Sequence, residues 1–262
     1  MIYKHSSSRL ELTAGMTVLE ALLSIALLSC FSVAFFISYP PKKPFNFVIA
    51  GHEAEAISAL QQLVSAETKV KNQKSIDTNG NGIGEYAYFS ELTGVDPVRI
   101  KNGLQKPGDG TSKDRLGVPL MPCSFGVITN DGQVIYDGYY FQIYLPMSMT
   151  FGNCAQREMC GLREHDSFLD GMIDKPFPDP INCETVWCAY AWPISEHTGT
   201  RAFFVNQEGI MLETENSSTN SYIGPHAPPF DAAFASPRRN MASHLPQEGA
   251  ASNDGHIWER VH

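Results

Sequence analysis

Oxygen-bearing side chains alternate with glycines in one short stretch of the sequence. Residues 77 to 85 read DTNGNGIGE, and the side chains that could bind a cation there are Asp77, Asn79, Asn81 and Glu85. Carboxylate and amide oxygens on a tight loop suit calcium, and Ile83 could add its backbone carbonyl. An EF-hand would need its bidentate glutamate where Tyr88 stands, so the loop does not fit that motif. Two interpretations stay open: a calcium loop, or a Gly/Asn turn before an aromatic strand or short helix.

A single carboxylate interrupts the longest apolar segment of the chain. Residues 16 to 38 carry no charged side chain except Glu20. A helix of this length spans the hydrocarbon core of a bilayer, which is about 30 Å thick, so the sequence predicts a transmembrane helix over residues 16 to 39. An ionised carboxylate in hydrocarbon costs about 2.5 kcal/mol or more unless a partner relieves it. Glu20 is therefore expected to have a partner of opposite charge.

The residues before this segment predict its orientation. Lys4 and Arg9 outnumber Glu11 there, which favours a cytoplasmic N-terminus and a periplasmic or extracellular location for the rest of the chain. A cleaved secretory signal is one alternative, but the nearest small-residue site ends at Ala50, beyond the proline-rich break at residues 40 to 44. A plain single-pass anchor is the other alternative, and it leaves Glu20 without a partner.

Residues 15 to 20, GMTVLE, resemble the processing motif of type IV prepilins and of the pseudopilins of type II secretion, with Met16 in place of the usual phenylalanine. The resemblance implies that a membrane aspartyl peptidase cuts after Gly15 and methylates the new N-terminus at Met16. It also implies that Glu20 pairs with the Met16 amino group of a neighbouring subunit, because opposite charges can satisfy each other when membrane helices pack. The expected partners are the prepilin peptidase, other pilin or pseudopilin subunits and the inner membrane.

Charge and motifs narrow the function further. The net charge is −9 and the basic residues are scattered, which argues against a nucleic-acid partner. GxSxG and HExxH motifs are absent and the histidines are spread thinly, so we expect a protein without enzymatic activity. The sequence thus favours a prepilin-like subunit of a type IV pilus or pseudopilus. A single-pass anchored periplasmic ligand-binding module and a structural envelope protein are the alternatives.

Cysteine occurs once in the predicted membrane segment, at Cys30, and otherwise only beyond it. An extracytoplasmic domain meets an oxidising compartment and the sequence has no CxxC, so disulfides are expected rather than a metal or redox site. The simplest bridges join Cys154 with Cys160 and Cys183 with Cys188, although four cysteines allow three connectivities. Cys123 would then be unpaired.

Helical periodicity follows the proline-rich break. Over residues 47 to 73 one apolar stripe consists of Ala56, Ala59, Leu63, Ala66 and Val70, and Ile57, Leu60 and Val64 widen it. Lysines crowd the end of this stretch, where cations suit the helix dipole. The pattern predicts an amphipathic helix that ends near Ser75.

Strand patterns dominate the sequence beyond residue 95. Predicted strands cover residues 138 to 146, 187 to 194 and two parts of 201 to 214, and another is expected at 125 to 128. Turn signals at 130 to 132, 196 to 199 and 206 to 209 separate them. The prediction is an α+β fold: a transmembrane helix and an amphipathic helix, followed by a small antiparallel β-sheet domain that the prepilin resemblance makes pilin-like.

The predicted organisation is a leader at 1–15, a membrane helix at 16–39, a break and amphipathic helix at 40–75, an extracytoplasmic α+β domain at 76–223 and a tail at 224–262. The tail is rich in Pro, Ala, Ser and Asn, which predicts disorder. The acidic group Glu164-His165-Asp166, with Asp170 and Asp174 nearby, could ligate a metal, but a solvated loop is the favoured interpretation. Stretches GYYFQIYL, AYAWPI and RAFFVNQEG also resemble a bacterial exported domain of unknown function, which implies a fold and no activity.

Overall fold

The computed structural model describes residues 45–102, 106–148, 158–165, 176–216 and 221–261. The predicted leader, the predicted membrane helix and Glu20 lie outside these ranges. Within them, no helix combines the length and apolar character needed to cross a bilayer. The described residues from Phe47 onward form one compact unit.

The predicted amphipathic helix is present as α1 (Phe45–Gln73). All five residues of the predicted apolar stripe are buried, and so is Leu60, which was expected to widen it. The helix ends when Lys74 turns into a left-handed backbone conformation with φ of 53°. The Ser75 amide then donates to the carbonyl of Val70. The helix and its buried face are therefore confirmed.

The other elements are short, except for the strands of one sheet. In chain order they are α2 (Phe89–Leu92), β1 (Ile100–Asn102), β2 (Lys106–Gly108), β3 (Val134–Tyr136), β4 (Tyr139–Pro146), β5 (Gly161–Arg163), β6 (Cys188–Pro193), β7 (Arg201–Asn206), β8 (Met211–Glu215) and β9 (Glu259–Arg260). Strands β1 and β2 form a ribbon, while the main sheet has the order β3-β4-β6-β7-β8-β9, with β5 also pairing with β4. Every strand pair is antiparallel. The chain thus has the predicted α+β composition with an antiparallel sheet.

Turn chemistry fixes the register of the hairpins. The predicted turn at 206 to 209 joins β7 to β8, and Gly209 adopts a positive φ of 70° that suits a glycine. The strand predicted at 125 to 128 is wrong, because Cys123–Gly126 form a 3₁₀ turn and Ile128 makes only an isolated bridge to Val134. Phe125 is used instead as an anchor that packs on Phe141, with ring centroids 5.4 Å apart.

Side chains alternate between two buried faces of the sheet. Phe141, Ala189, Phe203 and Val205 lie on the face that packs with α1. Their immediate neighbours, such as Tyr190 and Phe204, belong to a second apolar cluster on the opposite face. Because both faces are covered, β4 and β6 read as near-continuous apolar runs instead of an alternating pattern.

The C-terminal segment, residues 221 to 261, covers the second face. Its Ala232, Ala233, Phe234, Met241 and Trp258 are buried in the second cluster, so the predicted disorder of residues 224 to 262 is wrong for the residues described there. The segment has little regular structure, yet it buries apolar side chains, and this burial opposes the loss of chain entropy.

Hydrogen bonds to aromatic side chains hold this segment in place. The Tyr144 hydroxyl donates to the Pro228 carbonyl at 2.8 Å, and the Trp192 indole N–H donates to the Gly224 carbonyl at 2.9 Å. The Tyr190 hydroxyl lies 3.2 Å from the Phe230 carbonyl and accepts from the Ala233 amide at 3.1 Å. These bonds give hydrogen-bond partners to the buried hydroxyl and indole groups of the sheet and to backbone groups of the C-terminal segment.

The cysteine pairing differs from the prediction. Cys183 and Cys188 are both free and buried, so the expected bridge between them is wrong. Cys183 belongs to the cluster on the α1 face and Cys188 to the opposite cluster, and the sheet separates their side chains. Cys160 is disulfide-bonded, while Cys154, its predicted partner, lies outside the described ranges. Cys123 is free and exposed.

Candidate functional site

The processing and assembly residues predicted from the sequence, Gly15, Met16 and Glu20, lie outside the described residues. Among the described residues, the candidate site comprises the loop at residues 77 to 85 and the buried ionisable groups beside it. We call residues 77 to 85 the Asp77 loop. It follows α1 directly and leads to α2.

Backbone amides close the Asp77 loop around its first side chain. Asp77 Oδ1 accepts from the Asn81 amide at 3.1 Å, and its Oδ2 accepts from the Gly82 amide at 3.0 Å. Asn79 and Asn81 repeat the pattern by accepting from amides two residues further on. Gly82 has a positive φ of 84°, a conformation that glycine adopts readily. The alternation of oxygens and glycines is therefore satisfied locally as a series of side-chain-capped turns.

The Glu85 side chain does not lie with the other three predicted calcium ligands. Its side chain is buried, and Oε1 accepts from both the amide and the hydroxyl of Thr78 at 2.5 Å. Its Oε2 lies 3.9 Å from Arg99 Nη1. The four predicted ligands are thus divided between the loop and the interior.

A glutamate distant in sequence, Glu184, contacts the Asp77 loop. Glu184 Oε1 accepts from the side-chain amides of Asn79 and Asn81, both at 2.7 Å. Glu184 comes from the 3₁₀ turn Asn182–Glu184 that precedes β6, so only the folded domain brings it there. Three of the predicted residues and Glu184 therefore form a set of side-chain oxygens and amides around one loop.

Calcium binding at this set stays a prediction. Among the described residues, no three His, Cys, Asp or Glu side chains come together as a metal site, so a cation would depend on the asparagine oxygens turning inward. Asp77→Ala is not diagnostic, because Asp77 already holds two backbone amides and its loss lowers stability with or without a metal.

A chelator is the measurement that separates the two interpretations. If calcium binds, saturation at about 100 times the dissociation constant raises the free energy of unfolding by about 2.7 kcal/mol, and EDTA reverses the gain. Glu184→Gln should reduce that gain, whereas Glu215→Gln, at an exposed position, should not. Melting curves that coincide with calcium and with EDTA would leave the turn interpretation.

Carboxylates surround one arginine in the interior beside the Asp77 loop. Arg99 donates through Nε to Glu91 Oε1 at 2.9 Å, and its Nη2 donates to the Tyr86 carbonyl. The Arg99 backbone amide donates to the same Glu91 oxygen at 2.8 Å. We refer to Arg99, Glu91, Glu85 and Glu67 as the Arg99 cluster. The guanidinium pairs closely with Glu91 and lies 3.9 Å from Glu85, while it acts on Glu67 only through its charge.

Electrostatics divides the carboxyl groups of the Arg99 cluster into two kinds. Glu91 forms the close ion pair with Arg99. Burial raises the pKa of Glu67 well above its ordinary value, although the Ala87 amide donates to its Oε2 at 3.0 Å. Burial also raises the pKa of Glu85, against the opposing effects of Arg99 and Thr78. Burial therefore favours the protonated form of Glu67 and of Glu85, and the neutral form costs less to bury than the charged one.

Two acidic residues of α1 have roles that the sequence analysis did not assign. Glu67 lies four residues after Leu63 on the buried stripe and is 0% exposed. Glu53, three residues before Ala56, accepts from the Thr200 amide and forms an ion pair with Arg201 at 2.7 Å. The sequence contains a signal for these buried roles, because a glutamate in phase with the apolar residues of an amphipathic helix needs a partner in the core.

A serine, an aspartate and a histidine meet in the C-terminal segment. Asp254 Oδ1 lies 2.6 Å from Ser252 Oγ, and its Oδ2 lies 3.0 Å from His256 Nδ1. The same Oδ2 accepts from the Tyr222 hydroxyl at 2.6 Å and the Trp258 indole at 3.0 Å. Since Asp254 stands between Ser252 and the imidazole, the arrangement differs from a nucleophile with its base and ties the segment together.

The two networks differ in what they can do. The Arg99 cluster buries three carboxyl groups beside a loop rich in side-chain oxygens, while the Asp254 network joins side chains of the C-terminal segment. Comparisons with family models, with curated proteins and with solved structures find no match for the chain.

Proposed function

We propose that the chain is a prepilin-like subunit of a type IV pilus or of a type II secretion pseudopilus. In this proposal the leader is cut after Gly15, Met16 becomes the methylated N-terminus, and the apolar helix holds the subunit in the inner membrane. Glu20 then pairs with the Met16 amino group of a neighbouring subunit during assembly.

The motif GMTVLE followed by an uninterrupted apolar segment carries this proposal. The α+β fold supports it, because a pilin usually places the outer part of its long N-terminal helix on an antiparallel sheet, and α1 packs on the sheet in this way. Phe47 is 86% exposed and Val48 is 53% exposed near the start of α1. Exposed apolar side chains at that end suit contacts with neighbouring helices.

Gly15→Ala tests the processing step. We expect the variant to keep its 15-residue leader and to lack N-terminal methylation when it is produced beside a prepilin peptidase, because the resemblance places the cut directly after the glycine. Mass spectrometry of the N-terminal peptide measures both changes. Gly51→Ala is the matched control, since a Cβ at Gly51 meets no atom within 4 Å. Wild-type protein that keeps its leader would contradict the proposal.

Glu20→Ala separates processing from assembly. We expect normal cleavage after Gly15 but reduced incorporation beside wild-type subunits, because the Met16 ammonium of a neighbour then lacks its carboxylate in the membrane. Glu55→Ala, an exposed position on α1, serves as the control for incorporation. Equal incorporation of the Glu20→Ala and wild-type chains would favour the alternative, an anchored periplasmic binding or structural module that only shares the membrane segment.

A further inference from the structure

One carboxyl group of the Arg99 cluster lies in the core without a cation of its own. The Glu67 side chain is 0% exposed, its Oε2 accepts from the Ala87 amide, and its Oε1 is buried without a hydrogen-bond partner. Among the described residues, no basic side chain forms an ion pair with it. A charge on Glu67 would therefore have one amide donor and no counterion, and the neutral carboxyl costs much less to bury.

The guanidinium of Arg99 supports a charge on Glu67 only weakly. It donates to Glu91 through Nε at 2.9 Å and to the Tyr86 carbonyl through Nη2, and its Nη1 lies 3.9 Å from Glu85 Oε2. The close ion pair thus belongs to Glu91. Glu91 raises the pKa of Glu67 more than Arg99 lowers it, so the ion pair as a whole does not replace a counterion for Glu67.

The other groups around Glu67 supply no second cation. Lys71, one turn further along α1, directs its ammonium to Tyr86, 4.7 Å from the ring centre and 3.4 Å from the hydroxyl oxygen. Glu85 is itself buried, and its Oε2 has no hydrogen-bond partner. The sheet face that packs with α1 contributes apolar side chains such as Val205.

Further ionisable groups of this region are acidic or neutral. Glu164 is 6% exposed and accepts from the Ser90 amide at 3.1 Å, so the solvated loop predicted around Glu164 is wrong for this side chain. The Cys183 thiol belongs to the apolar cluster on the α1 face, and burial raises its pKa. Among the described residues of this region, buried carboxyl groups therefore outnumber the buried guanidinium of Arg99.

We propose that Glu67 takes up a proton when the protein folds, and that the fold is therefore more stable at acidic than at alkaline pH. The proton neutralises a carboxylate for which the core has no counterion. This property goes beyond the proposed function, because it does not depend on cleavage after Gly15 or on assembly. A pilus subunit and an anchored module could each have it.

The pH dependence has a defined sign. The pKa of a glutamate in the unfolded chain is about 4.3, and burial raises the pKa of Glu67 well above this value in the folded state. Between the two values the folded state holds a proton that the unfolded state has released. The contribution to stability is complete below about pH 4.3 and is lost as the pH rises through the folded pKa. In this range the unfolding equilibrium constant increases by up to about tenfold per pH unit.

Urea unfolding of the full-length chain in a nonionic detergent between pH 5 and pH 8 tests the proposal. The variant is Glu67→Gln, which keeps the side-chain volume and an oxygen that can accept from Ala87 but cannot ionise. We expect the ratio of the wild-type to the variant unfolding constant to rise by about tenfold or more over this range. Trp187, whose ring centre lies 6.0 Å from that of Tyr86, reports unfolding of this region by fluorescence.

A matched control and a second variant complete the test. Glu55→Gln, at an exposed position on α1, should give a ratio that does not change with pH. If Glu67→Gln does not fold, Glu67→Met removes the same proton with an unbranched apolar side chain, and its ratio should rise with pH in the same way. A ratio for the folded Glu67 variant that is constant, or that falls as the pH rises, overturns the proposal.

Infrared spectroscopy of the wild-type chain gives a readout that needs no variant. The carbonyl stretch of a protonated carboxyl group should be present in the folded chain at pH 6, where a glutamate of the unfolded chain is already ionised, and it should disappear on unfolding in urea. A folded chain without this band at pH 6 also overturns the proposal.

Discussion

Replacing Arg99 with leucine should lower the free energy of unfolding at pH 7 by about 3 to 5 kcal/mol. The guanidinium is the partner of Glu91 and lies beside Glu85, and both carboxyl groups are buried. Removing it leaves the Glu91 carboxylate with backbone amides alone and raises the cost of ionising Glu85 and Glu67. Leucine fills part of the volume, so the loss reports on charge more than on packing.

The pH dependence of this variant distinguishes charge from packing. Burial raises the pKa of Glu67 and of Glu85, so these two groups lose their charge as the pH falls and no longer need a cation. The loss of unfolding free energy caused by Arg99→Leu should therefore shrink as the pH falls toward 4. Urea unfolding at several pH values measures it. Arg115→Leu, at an exposed position, should change the free energy of unfolding by no more than about 0.5 kcal/mol. A deficit of equal size at pH 4 and pH 7 would assign the loss to packing instead.

Replacing Asp254 with alanine should cost about 3 to 5 kcal/mol of unfolding free energy, the value for breaking a buried charged network. The change leaves the Tyr222 hydroxyl, the Trp258 indole N–H and the Ser252 hydroxyl without their shared acceptor. Trp258 packs in the cluster on the second face of the sheet, so its fluorescence follows detachment of the C-terminal segment. Glu248→Ala, from the same segment, is the exposed control.

Acid titration adds a second readout for Asp254. Burial alone would raise its pKa, but hydrogen bonds from Ser252, Tyr222 and His256 together lower it below the ordinary value. A depressed pKa in the folded state gives stability that is present above the unfolded pKa of about 3.9 and is lost as the pH falls through the folded pKa. The alanine variant should therefore lose less stability than wild type below pH 4. Parallel acid-unfolding curves would contradict the assigned network.

The sequence predicts the helix and the main strands because their patterns are local. The buried stripe of α1 follows helical spacing, and the aromatic strand at 139 to 146 is bounded by Gly138 and Pro146. The same strand also contained a signal that the prediction did not use. An antiparallel sheet that is apolar on both faces needs cover on both faces, and a single helix covers only one.

Composition misled the prediction for the C-terminal segment. Proline, alanine, serine and asparagine lower the tendency to form helices and strands, but they do not prevent a chain from packing by its aromatic residues. Phe230, Phe234 and Trp258 are spread through the segment, and each contacts the aromatic side chains of the sheet. Widely spaced anchors of this kind produce no periodicity, so pattern analysis cannot separate them from a disordered tail.

Contacts between distant residues explain the other differences. Glu184 joins Asn79 and Asn81 across more than 100 positions, and no spacing rule links them. Cys183 and Cys188 are close in sequence, yet Cys183 lies in the 3₁₀ turn before β6 and Cys188 at the start of the strand, and their side chains belong to the clusters on opposite faces of the sheet. Sequence proximity was thus a poor guide both to the contacts of the Asp77 loop and to the cysteine pairing.

The late position of the C-terminal segment has a consequence for biogenesis. The strands β4 to β8 have all been synthesised by residue 215, while the side chains that cover their second face extend from residue 222 to residue 258. A nascent chain therefore presents a row of uncovered tyrosine, tryptophan and phenylalanine rings until translation has passed Trp258. Chains that terminate early would expose this surface to aggregation, and a chaperone that shields aromatic surfaces during synthesis would have its main task in that interval.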